Sequence, residues 1–257
     1  MKRIQLFELE DFPWFPSVLR DCMTRYILAL HEIIGTTEKL SPILAEMIEK
    51  TGATVIQDTC SGAGGPIFSV YDNLNDKNVR LQLSDLYPHS GVIADLENAP
   101  KQGVSYHKNP ADVLEFQFEP SSIQTMISAF HHLPPDKAKR VLERAFKEKR
   151  AICIFEISDN AAPIWLWWVA ILPAWLMTYF FTLRVRPMRF AQLFFTYCVQ
   201  ILPICIAWDG AVSNARTYTE ADLRALTADL QDNYCWEIRK IENKTPSKML
   251  CLMGMPA

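Results

Sequence analysis

Glycine and paired cysteines are scarce in this chain. Its 257 residues hold 9 Gly beside 16 Pro, which excludes a collagen-like repeat and Gly-rich low complexity. The 7 Cys, at 22, 60, 153, 198, 205, 235 and 251, are odd in number and form no CxxC pair. That disfavours a zinc ribbon and a secreted disulfide framework, and suits a reducing cytosol. Neither charge dominates: a net charge of −3 argues against a dedicated nucleic-acid binder. The amino-terminal MKRIQLFELEDFPW has no apolar run of signal length and no small-residue cleavage site, so no secretion signal is expected. No GxxxxGK[ST] occurs, and a GxGxxG beginning at Gly62 is broken by Ile67; a phosphate loop and a dinucleotide fingerprint are both missing.

Charge is also missing locally. Residues 161–207 contain three charged side chains, Arg184, Arg186 and Arg189, and five of the seven Trp lie between 165 and 208. The flanking runs 163–183 and 190–208 carry no charge, and each approaches the ~20 residues needed to cross a bilayer as a helix. Without this segment the chain reads as an ordinary α/β protein at 49% hydrophobic and 21% charged residues.

Outside it, apolar residues at 18, 19, 23, 26, 27, 30, 33 and 34 form a helical stripe, with Ser17 expected as N-cap after Pro16. A second helix is expected over 41–50, capped by Ser41 with Pro42 at its first position. Strands are expected at 54–58, 79–85, 104–109, 123–130 and 151–157, with helices after Pro66, over 91–98 and within HHLPPDKAKRVLERAFKE, starting at its PPD. A helix over 219–230, capped by Thr219, precedes a closing antiparallel pair, 235–242 and 248–255. The alternation implies βαβ units and a parallel sheet, with ligands at the carboxyl ends of its strands.

Chemistry-bearing residues fall on that edge. Asp58 ends the first strand, Gly62, Gly64 and Gly65 follow, and Asp85 ends the second strand. A carboxylate at Asp85 can accept both hydroxyls of a ribose, and Asp112 after the third strand can reach an adenine amino group. Three acids without a basic cradle suit a cofactor that lacks phosphate and carries a cationic centre.

Through IQDTCSGAGG, LQLSDLYPH, NPADVLEF, ISAFHHLPPDKAKRVLERAF and ICIFEIS, the chain resembles the class I S-adenosylmethionine-dependent methyltransferases over roughly 50–160, and more weakly through WDGAVSNARTYTEADLRAL. The resemblance implies an α/β Rossmann-like three-layer sandwich, whose seven-stranded, mostly parallel sheet has an antiparallel last strand, plus a hydrophobic helical insertion after strand five. It implies S-adenosylmethionine as cofactor and S-adenosylhomocysteine as product. Asp58, Gly62 and Gly64 would line the methionine end, Asp85 would hold the ribose, and Leu86 would pack on the adenine, whose amino group Asp112 would face. Ala129 and Phe130 would meet the cofactor through their backbone. Cys60 stands where the family usually has glycine, two residues past the acid.

Methyl transfer mainly needs an aligned acceptor and excluded water, and a base where the acceptor carries a proton. His131, His132 and Glu156 are the candidates for acid–base work. No metal is expected, since adjacent histidines on an extended chain point apart. Trp14, Phe15 and Tyr26 near the amino terminus, with Trp165 and Trp168 in the apolar segment, are candidate substrate contacts.

One methyltransferase domain, 1–257, is expected, with an amino-terminal helical cap (1–50) and the hydrophobic insertion (160–208). Three readings of 163–208 stay open. Both runs cross or dip into a membrane, against which the arginines at the tip and Pro163, Pro173, Pro187 and Pro203 count. Or the hairpin lies at a membrane surface as an apolar lid, or it is a buried lid or dimer contact. The expected function is methylation, on O or N, of a small lipophilic or lipid-like acceptor by a cytoplasmic protein, peripheral on the inner membrane face. The alternative is a non-catalytic module of the same fold that binds the cofactor or docks on membranes. A nicotinamide-dependent reductase is disfavoured by Ile67 and the lack of a Tyr-x-x-x-Lys pair, and a nucleic-acid methyltransferase by SAFHH in place of an NPPY-like motif. The acceptor and the oligomeric state are not legible.

Overall fold

The computed structural model describes residues 1–257 apart from 75, 77 and 244–246. Two helices, α1 (Ser17–Ile34) and α2 (Thr36–Thr51), precede an alternating run. This run is β1 (Val55–Thr59), α3 (Ile67–Leu74), β2 (Arg80–Ser84), α4 (Ser90–Asn98), β3 (Val104–Tyr106), β4 (Ser122–Ile127), α5 (Pro135–Lys147) and β5 (Ala151–Glu156). The apolar segment follows, containing α6 (Ile171–Thr182), α7 (Phe190–Leu193) and α8 (Ile201–Arg216). Then come α9 (Glu220–Thr227), β6 (Tyr234–Ile241) and β7 (Met249–Pro256).

The strands form one seven-stranded sheet in the order β3-β2-β1-β4-β5-β7-β6. β1 to β5 pair in parallel, while β7 runs antiparallel to both β5 and β6. The expected seven-stranded sheet with a reversed last strand is what forms. The order reverses at β1/β4, the switch point at which open α/β sheets bind ligands.

The two-residue period of a strand sorts side chains between two cores. Cys153 and Phe155 of β5, with Cys251 and Met253 of β7, join α2 and α3 on one face. Ile152, Ile154, Leu250 and Leu252 join α5 and α9 on the other. All of β5 is buried, as its uninterrupted apolar sequence predicts. A third cluster packs Phe15, Leu19, Cys22, Met23 and Tyr26 against Leu202, Cys205 and Ile206 of α8, so most of α1 docks on the apolar segment, while Leu30 and Ile34 at its end reach the sheet core.

Two capping expectations fail. Ser17 is the first residue of α1, and the cap position falls on Pro16 without a side-chain bond. α2 starts at Thr36, five residues before Ser41, and carries Pro42 inside it. The reason is Gly35: at φ 72 it closes α1 and opens α2 in one left-handed step. Ser41 instead donates to the Thr37 carbonyl at 2.7 Å. Thr219 does cap α9, in a reciprocal bond pair with Asp222.

Candidate functional site

The turn after β1 gathers the acids. The Gly62 amide donates to Asp85 Oδ2 at 2.8 Å, and the Tyr87 amide to Asp85 Oδ1 at 2.7 Å. The strand-two acid is thus seated on the glycine turn. Tyr106 at the end of β3 donates its hydroxyl to the Gly62 carbonyl at 2.8 Å. The Ala111 amide donates to the Asp85 carbonyl at 2.9 Å, bringing the Asp112 loop to the same rim. Asp112 itself accepts from the Leu114 amide at 2.9 Å. Asp58 is buried between β1 and β4, where it accepts from Thr125 Oγ1 at 2.6 Å. Burial pushes its carboxyl up to about 7, against the bonds from Thr125 and Ser61.

Cys60 lies at φ 57, the left-handed region that favours glycine. The family's usual glycine is therefore conformationally apt here, and cysteine holds the same backbone at a strain cost. Burial, then the nearby Asp85, Asp58 and Asp112, push its thiol well above the usual range. Asp58, Asp85 and Asp112 lie near enough to act on this one thiol, and among the described residues none of the three forms an ion pair. Gly64, at φ 85, lets the Phe68 ring close over the turn: a Cβ there would lie 2.1 Å from it. Leu86 is 44% exposed at the same rim, while Ala129 and Phe130 are buried behind it.

Past β4 the chain tightens into a 3-10 turn over Phe130–His132. This corrects the premise that the two histidines sit on an extended chain and diverge: the turn brings their rings to 4.3 Å between centroids. Glu156, ending β5, binds His131 twice, accepting from its amide at 3.1 Å and meeting Nδ1 at 2.8 Å. A carboxylate at Nδ1 fixes the tautomer with Nε2 bare, and His131 Nε2 is buried without a partner.

The amino-terminal strap, residues 1–12, completes this rim, and sequence reasoning missed it. Lys2 Nζ donates to the carbonyls of Asn160, Ala161 and Ala162 at 2.7, 3.2 and 2.5 Å. Arg3 donates to the His131 carbonyl at 2.7 Å. Arg216, at the end of α8, binds Glu8 at 2.8 Å and Asp11 at 2.6 Å. His132 lies 3.3 Å from Asp11. Burial alone would lower the His132 imidazole, but Asp11, Glu8 and Glu10 outweigh it and hold it up at about 9. Burial likewise pushes Asp209, which accepts from the amides of Leu9 and Glu10, up to about 7. The one signal in sequence was the acid-rich ELED at 8–11, which spacing alone does not connect to residue 216.

The candidate substrate contacts separate. Phe15 and Tyr26 are buried in the α1–α8 cluster, with the Tyr26 ring 6.5 Å from Phe181. Trp14 is 68% exposed and stacks on Phe12. Trp165 and Trp168 are exposed at the start of the apolar segment. Residues Ile164–Thr182 form a helical stretch of 19 residues with mean hydropathy 1.6 and only 6% of it buried, long and apolar enough to cross a membrane. The second arm, Phe190–Cys198 with Ile201–Arg216, bends by 87°. The composition boundary at 208 is no element boundary: α8 continues to Arg216, its last turns buried on the rim.

In sequence, the chain matches no family model and no curated protein. Solved structures do match it. The plantazolicin methyltransferase BpumL, in complex with a triazolic desmethylPZN analog and SAH, aligns at TM-score 0.56 and 10% identity, covering 97% of this chain and 93% of that one. The methyltransferase domain of bacterial-CtHen1-C aligns at TM-score 0.50 and 8% identity, covering 84% and 96%. The chain spans about half the length of others, such as the mitomycin 7-O-methyltransferase MmcR, with 14% identity, TM-score 0.47, and 80% of this chain over 50% of that one. The chain has the fold of the class I S-adenosylmethionine-dependent methyltransferases.

Proposed function

We propose that this protein is an S-adenosylmethionine-dependent methyltransferase acting on a small lipophilic or lipid-like acceptor. The observation that carries the reading is Asp85 seated on the glycine turn with the Asp112 loop on the same rim, neither acid in an ion pair among the described residues, and Asp58 buried at the base of that turn. A sulfonium cofactor with an adenosine and no phosphate complements these acids in charge and in hydrogen bonding. Asp85 would take the ribose hydroxyls on its remaining lone pairs, and Leu86 would lie against the adenine. Asp58 and the turn at Gly62 and Gly64 would face the methionine end.

The acceptor would reach the donor methyl beside Ala129 and Phe130, where His131 and His132 are the polar groups that activate it. Glu156 holds His131 in orientation. The exposed indoles of Trp165 and Trp168 and the apolar face of α6 support a lipophilic acceptor and a protein that works at a membrane surface from the cytoplasmic side. Exposed Arg184, Arg186 and Arg189 at the hairpin tip would meet anionic headgroups.

Isothermal titration of the purified chain with S-adenosylhomocysteine tests the cofactor assignment. One site per chain is expected, and Asp85→Asn is expected to weaken it at least about tenfold, the loss of a charge-assisted bond pair. Absent binding, with binding of a nicotinamide dinucleotide instead, would sink the assignment. Cofactor binding without turnover on a panel of lipophilic acceptors would favour the non-catalytic module.

A further inference from the structure

Glu8, His131 and His132 converge on one point of the rim. Each offers one ligand atom, and these atoms all lie within 4.8 Å of one another. Glu8 Oε2 and His131 Nε2 are buried without hydrogen-bond partners, in residues only 0% and 5% exposed. Buried polar atoms are normally satisfied, so two bare ones within one such cluster point to a missing occupant. His132 Nε2 lies 3.8 Å from Glu8 Oε2, and 4.0 Å from Glu10 Oε1.

The remaining atoms of the three side chains are already engaged. His131 Nδ1 meets Glu156 Oε2 at 2.8 Å. Glu8 Oε1 accepts from Arg216 Nη1 at 2.8 Å. His132 Nδ1 lies 3.3 Å from Asp11 Oδ1 and 3.4 Å from Arg216 Nη1. A carboxylate behind each imidazole is the support that metal-binding histidines ordinarily have.

We propose that Glu8, His131 and His132 form a site for a divalent transition-metal ion. Two imidazoles and a carboxylate select zinc, iron or cobalt over magnesium or calcium. Three protein ligands leave a coordination position open. Bonds of about 2.0–2.2 Å require the triad to contract, and the contraction draws the amino-terminal strap onto the 3-10 turn after β4. The ion therefore ties residue 8 to the rim. An acceptor oxygen or nitrogen in the open position would be deprotonated more readily and held beside Ala129 and Phe130. That last role rests on the methyl-transfer reading; the ion's binding does not.

The test uses the full, untagged chain, stripped with a chelator and titrated separately with zinc chloride and with S-adenosylhomocysteine. One zinc per chain is expected. Glu8→Gln removes a ligand charge and Glu156→Gln removes the support behind His131; each is expected to weaken zinc about 10–100-fold. His132→Gln, at a half-exposed position, is the third variant and stands in if Glu8→Gln unfolds. Cobalt added to the stripped chain should give visible absorption of low-coordinate cobalt that Glu8→Gln lacks. Zinc binding that is substoichiometric, or equal in the wild-type chain and the folded variants, overturns the proposal. Cofactor binding without zinc sinks the metal site alone; zinc binding without the cofactor product sinks the methyl-transfer reading alone.

Discussion

Asp58 concentrates the residue-scale physics. Its carboxyl is buried and titrates at about 7, above its unfolded value, so the sign is determined. The folded, cofactor-free protein holds the proton more tightly than the unfolded chain. The associated stability is full below the ordinary carboxylate range and is lost as pH rises through 7. Between pH 5 and pH 8 the loss attributable to this group is about 3 kcal/mol. Asp58→Asn, which keeps the shape of the neutral form, should be the more stable protein at pH 8 and lack this part of the pH dependence. Urea unfolding of both proteins at the two pH values checks it; parallel curves would show that the carboxyl is solvated. The acids at 58 and 85 were readable because strand ends and glycine turns are local features. That the two meet the same turn also follows from parallel β1–β2 pairing. The orientation of His131 was not readable, because it depends on a 3-10 turn and on Glu156, 25 residues away.

The element that departs most from ordinary globular behaviour is the apolar hairpin. Leu172 and Phe180 on α6 are 63% and 66% exposed. Replacing both by Asp should leave stability within about 1 kcal/mol, because surface positions contribute little. If α6 lies in a membrane interface, the same double variant forfeits the burial of two large side chains, about 3 kcal/mol or roughly a hundredfold in partitioning. Co-sedimentation with vesicles containing phosphatidylglycerol reads this directly. Equal partitioning of variant and wild type, or none by either, would leave α6 as a protein-contact surface. Hydropathy located this segment and its breaks near Pro163 and the arginines. It did not reveal that α8 passes from the apolar segment into the rim, since a helix can change surroundings along its length without a change of period.

At the scale of the whole molecule, the amino-terminal strap and the end of α8 are joined by a buried ion pair. Arg216 is 5% exposed and Glu8 0%. Arg216→Met should cost about 3–5 kcal/mol, since it strands the Glu8 carboxylate in the interior. Arg224→Met, which breaks the exposed pair with Glu220, should cost less than about 1 kcal/mol. Urea midpoints of the two variants make the comparison, and similar costs would show that the strap is solvated. The chain by itself determined the alternating strands and helices, the mostly parallel sheet and the acids of the turn, because alternation, glycine and strand-end charge act over a few residues; the strand order came from the tertiary structure. Tertiary structure alone decided what closes the site. Glu8, Asp11, His132 and Arg216 are separated by up to 208 residues and carry no mutual spacing. Their juxtaposition exists only because burying the strap against α8 and the β4 rim leaves those charges no other partners.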